Sequence, residues 1–158
     1  MNSLFSFPNP VNERTARLVA AGVVCMCVLI VAFSQMWVLI PLTYGFLART
    51  ATGPTLSPLG QFVTRVAIPA TKWNPKYVPG PPKRFAQGMG AVMSSAATVL
   101  WLISDTNILA QIITGMILIA ASLESIFGFC LGCTIFSALM RAGIIPESVC
   151  EACVIPER

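Results

Sequence analysis

Six cysteines and no histidine set the chemistry open to this chain of 158 residues. Four of the cysteines form two CxxC pairs, Cys130/Cys133 in "GFCLGC" and Cys150/Cys153 in "VCEAC". Sixteen residues separate the pairs, a spacing that reads as a zinc site with four thiolate ligands. Such a set closes a tetrahedral shell around Zn2+ and leaves no open position for catalysis. An iron centre with four sulfur ligands fits the same spacing. Two further readings stay open: reactive dithiols that exchange disulfides or sulfane sulfur with a partner, and inert buried thiols. Cys25 and Cys27 lie two residues apart in an apolar run, point to different helix faces, and read as packing residues. Without histidine, Ser/His and Cys/His catalysis, histidine haem ligation and mixed Cys/His zinc sites are excluded.

One acid, Glu124, falls within an apolar stretch, where an ionisable group must be paired or protonated. Gln87, Ser94 and Arg84 are the partners that a neighbouring helix could bring to its depth. A role in moving protons, or a solute path around Glu124, is the functional alternative to a helix-locking hydrogen bond. Glu124 and Cys130 stand six positions apart, so on one ideal helix they lie about 120° apart and direct proton transfer between them is disfavoured.

The elements that must position these groups are helices in a membrane. Hydrophobic residues make up 56% of the chain and charged residues 10%, against about 25% charged in a soluble domain. The composition predicts an all-α, integral membrane four-helix bundle formed as a single domain over residues 1–158, with spans at about 16–34, 36–51, 85–103 and 107–129. A basic connection covers 52–84 and a Cys-rich tail covers 130–158. Reading Leu18 to Leu47 as a hairpin places all ten Lys and Arg residues on one side, so the positive-inside rule puts both termini in the cytoplasm. Within the connection, Ser57 is an N-cap with Pro58 at the first helical position. The stripe Leu59, Phe62, Val63, Val66 and Ala67 predicts a short helix lying at the membrane surface.

"NPKYVPGPP" should be extended, and Asn12 should cap the first helix near Glu13. Ala86, Gly90 and Ser94 recur every four residues, leaving one face of the third span small enough for close helix packing. Trp37 and Trp101 suit the outer interface. The net charge of +4 lies beside apolar runs, where it orients the chain and meets anionic lipid; nucleic acid is not an expected partner. Neither GxxxxGK[ST] nor GxGxxG occurs.

"FPNPVNERTARLVA", "RFAQGMGAV", "LESIFGFCLGC" and "VCEAC" together resemble the bacterial membrane-protein family catalogued as domain of unknown function 4395. The resemblance extends over nearly the whole chain and implies a small multi-pass protein of the bacterial inner membrane without an established activity. Members tend to occur beside thioredoxin-like and sulfurtransferase proteins. Arg84, Glu124, Cys130, Cys133, Cys150 and Cys153 stand at matching positions. The expectation is therefore an accessory or scaffold protein, more in keeping with a non-enzyme, with a cytoplasmic zinc-type site at Cys130, Cys133, Cys150 and Cys153. The alternative is a thiol or sulfur relay serving a thioredoxin-like or sulfurtransferase partner.

Overall fold

The computed structural model describes residues 9–150 except residue 73. Seven α-helices carry the described chain: α1 (Glu13–Phe33), α2 (Leu39–Thr52), α3 (Pro58–Phe62), α4 (Ile68–Thr71), α5 (Gly80–Ile103), α6 (Ile108–Phe127) and α7 (Leu131–Arg141). Among the described residues, α1, α5 and α6 are long and apolar enough to cross a membrane. α2 has 14 residues and is preceded by a 3-10 turn at Met36–Val38.

The packing inverts the order of a soluble bundle. Along α5 and α6 most buried positions are small, Gly90, Ala91, Ser94 and Ala97 on one helix and Ala110, Thr114 and Ala121 on the other, with Lys83 and Ile117 the large exceptions. The exposed positions are large, among them Val92, Leu102, Ile112 and Ile119. Without a hydrophobic drive between helices in lipid, close backbone approach through small residues holds such a bundle together, and large side chains face the acyl chains. α5 is the hub, packed against α2, α6 and α7, while α1 lies along α6. The small face expected at Ala86, Gly90 and Ser94 is used twice. A Cβ on Gly90 would stand 2.3 Å from the Phe46 ring of α2, and one on Gly132 of α7 would stand 2.5 Å from the Ala86 Cβ.

α1 and α2 follow one another but diverge after the turn at Ser34, and they touch only slightly. The gap between them receives α3, whose Leu59 packs where a side chain on Gly22 would be. Gly22 lies nine residues beyond the start of α1, about 13 Å along its axis. The stripe Leu59–Ala67 therefore enters the bundle instead of lying flat on its surface, as its period alone suggested. Val63 is buried, whereas Phe62 and Val66 remain exposed.

Ser57 accepts from the Gly60 N–H as the expected N-cap. The helix is then widened into a π-helical stretch at Val63–Ala67, with Ile68 N–H bonded to Val63 O. Pro69 explains the widening, because it donates no N–H and its ring crowds the preceding turn.

Local signals hold elsewhere. Asn12 caps α1 by accepting from Arg14 N, and the extended segment before α5 pairs with the approach to α1, Val11 opposite Val78 and Asn12 opposite Tyr77. α5 begins earlier than expected, at Gly80, because Pro81 and Pro82 occupy a first turn whose N–H groups have no intrahelical acceptor anyway. α6 ends at Phe127, where Gly128 adopts φ 70°, and a separate helix α7 begins at Leu131.

Candidate functional site

Charged and sulfur-bearing side chains converge at one end of the bundle, where α1, α5 and α7 start and α2 and α6 finish. Glu124 is paired there, as an acid at membrane depth requires. Its partner is Lys83, whose Nζ donates to Glu124 Oε1, with the two side chains 8% and 14% exposed. This corrects the expected partners. Gln87 instead accepts from Arg49 Nε at 2.8 Å, Arg84 Nε donates to Thr50 O at 3.0 Å, and Ser94 Oγ turns back to Ala91 O.

Sequence reasoning missed Lys83 and Arg49. The usable signal for Lys83 was its register: Lys83, Gln87, Gly90 and Ser94 share one face of α5 by i, i+4, i+7 spacing. Arg49 ends an apolar run and looked like a surface anchor, yet it is 4% exposed. Its Nη1 donates to Ser57 Oγ at 3.2 Å, and the guanidinium stands 4.8 Å from the Phe46 ring centroid. Arg17 was missed as well. From α1 it donates to Ser125 O and Ile126 O, the latter at 2.7 Å. It thereby satisfies carbonyls that the end of α6 leaves open and places a cation at the negative pole of the helix dipole. Arg84 does the same for α2 through Thr50 O.

Cys130 and Cys133 are joined in a disulfide, three residues apart. They do not share a helix face at the end of α6. Instead Cys130 is the N-cap of α7, and its Sγ accepts from the Cys133 N–H at 3.3 Å. Cys130 is buried and Cys133 is half-buried, so the two sulfurs differ in access. Gly132 between them lies so close to Ala86 that a side chain there would displace α7 from α5.

The break at Gly128 removes the single ideal helix on which the angle between Glu124 and Cys130 was reckoned. Both line one cavity of about 300 Å³ between α1, α5, α6 and α7, together with Gln87, Met89, Met93 and Met116. A second cavity of about 250 Å³ adjoins it, sharing Val19 and Gln87 and walled by Arg49 and Lys83.

Cys150 is 2% exposed and also disulfide-bonded; Cys153 lies outside the described residues. Among the described residues no three His, Cys, Asp or Glu side chains are grouped as metal ligands. In α1, Cys27 is buried in the core as expected of a packing residue, whereas Cys25, on a different face, is exposed and does not pack there. The family model described as "Domain of unknown function (DUF4395)" matches residues 11–141, which includes Arg49, Lys83, Glu124 and the first CxxC pair but stops short of the second. No curated protein and no solved structure matches the chain.

Proposed function

The chain belongs to the DUF4395 family, and from that footing we propose that it is a membrane thiol–disulfide protein whose working group is the Cys130–Cys133 disulfide. What carries the reading is the disulfide's place: capped at the start of α7, one sulfur buried and the other half-exposed, at the bundle end that gathers the positive charge. Arg14, Arg17, Arg49, Lys83 and Arg84 all belong to helix ends on this side. By the positive-inside rule it faces the cytoplasm, where a disulfide is usually transient and catalytic instead of structural.

The exchange runs between the disulfide and a partner dithiol. A partner thiolate attacks the accessible Cys133 sulfur, the Cys130–Cys133 bond breaks, and Cys130 leaves as a thiolate held by the Cys133 N–H and the start of α7. The partner's second thiol then attacks the mixed disulfide, so the partner ends oxidised and both cysteines here end reduced. A thioredoxin-like protein has the required dithiol; a sulfurtransferase would serve only if it brings a second thiol to resolve the mixed disulfide. In this reading α2, extended by the turn at Met36–Val38, is a fourth and short span. Both termini are then cytoplasmic, and the membrane is the bacterial inner membrane.

The test uses Cys130→Ser in the full-length protein. This variant leaves Cys133 without its neighbour and should accumulate a mixed disulfide with an oxidised thioredoxin-like protein on non-reducing gels. Cys133→Ser, whose remaining sulfur is buried, should accumulate far less. Equal trapping by both variants, or none by either, would remove the reading.

A second reading keeps the four cysteines reduced around zinc, as a scaffold that ties the tail to α7. The spacing of the pairs supports it, as does the return of the chain to α7: Val149 lines the same groove as Phe85 and Phe136. Four thiolates suit Zn2+, and reduction of both the Cys130–Cys133 disulfide and the one at Cys150 would have to come first. One zinc per chain in the reduced protein, released together with four thiols, would establish this reading over the relay.

A further inference from the structure

Arg49 is the most deeply buried cation of the described chain, and its bonding is incomplete. Its Nε and Nη1 are used by Gln87 and Ser57, while Nη2 is buried with no hydrogen-bond partner. An unsatisfied donor of a charged group out of water is costly, more so than a neutral one. The charges around it do not balance either. Arg49 and Lys83 are two cations against the single carboxylate of Glu124, which leaves one positive charge in excess in the buried cluster. Both cations wall the cavity of about 250 Å³, whose other lining residues include Asn12, Thr15, Thr64 and Gln87 and no carboxylate.

We infer that this cavity binds a small oxyanion, a phosphate group either free or carried on a lipid headgroup. A guanidinium edge and an ammonium converging on one hollow supply the fork and the point charge that phosphate oxygens accept from. An anion held against Arg49 would cancel the excess charge, and a small turn of the side chain toward the hollow would give the buried Nη2 an acceptor. The start of α1, capped by Asn12, contributes Thr15 and a positive helix pole to the same wall. The cavity volume lies below the range of drug-sized ligand pockets, roughly 300–1,000 Å³, and suits an anion or a headgroup phosphate whose remaining atoms lie outside.

The experiment takes the full-length protein in detergent and measures thermal unfolding in sodium phosphate against sodium chloride of equal ionic strength. Native mass spectrometry of the same preparation then scores retained phospholipid. A saturable rise in melting temperature with phosphate, abolished in Arg49→Gln, identifies a free anion. One phospholipid retained per chain and lost in Arg49→Gln, without a phosphate effect, identifies the headgroup. Should Arg49→Gln fail to fold, Arg49→Lys keeps the charge without the fork and should bind about tenfold more weakly. Absence of both ligands from the native protein, or binding unchanged in the variant that folds, would overturn the site.

Discussion

The two ends of the bundle solve the same problem, terminating long apolar helices, by different means. At the end carrying Ser34 and Asn107 the solution is local. Ser34 closes α1 in the left-handed conformation at φ 55°, and Trp37 Nε1 donates to Gln35 Oε1 at 3.1 Å; the bond that reaches across from α6, Gln111 Nε2 to Ser34 Oγ at 3.2 Å, is an exposed side-chain contact that closes no helix backbone. At the opposite end the helices are terminated by one another. Arg17 of α1 closes α6, Arg84 of α5 closes α2, and Lys83 of α5 pairs with Glu124 of α6. A local ending can be lost with little effect elsewhere, whereas an interlocked one transmits any change to its neighbours. The disulfide and both cavities belong to the interlocked end, so the groups able to do chemistry are those whose positions depend on several helices at once.

Glu124→Leu should break this contrast most severely. It strands Lys83 as an unpaired buried cation, at about 3–5 kcal/mol, and the double variant Lys83→Met/Glu124→Leu should regain most of that. Reversible unfolding of the single and double variants in mixed micelles measures the difference; equal stability of the two would mean that the pair is not coupled.

Gly132→Ala should cost about 1–3 kcal/mol through overpacking against Ala86. It should also make Cys133 react faster with a maleimide in the reduced protein, since α7 is pushed from α5. Arg17→Ala should cost about 1–2 kcal/mol by uncovering the end of α6, with hydrogen exchange rising in its last turn. Gln111→Ala, at the locally closed end, should change stability by no more than about 0.5 kcal/mol. A loss comparable to that of Arg17→Ala would erase the distinction between the ends.

Much of the fold was legible because its signals are local. Asn12 and Ser57 cap the helices they precede, and the apolar runs carry the long helices to within a few residues. The four-residue period of Ala86, Gly90 and Ser94 marked a face for close packing. The candidate site was legible only in its ingredients. Cys130, Cys133 and Glu124 stood out by type and position, but an ideal helix carried through Gly128 separates what the structure joins in one cavity. The partner of Glu124 lies 41 residues away in sequence, and the expected partners, Gln87, Ser94 and Arg84, lie on the same helix as the Lys83 that sequence reasoning passed over. Helix rotation chose Lys83, and rotation is set by which small faces meet.

Composition, caps and periodicity therefore determined that this chain builds apolar helices with two CxxC pairs and gathers its cations beside them, because those properties depend on residues within a turn or two of each other. Tertiary structure alone decided that Arg49 is buried, that α3 wedges between α1 and α2, and that the sulfur pair caps a helix beside an ion pair. Each of these rests on contacts between distant segments, where packing of small residues and the need to satisfy buried charge outweigh local preference.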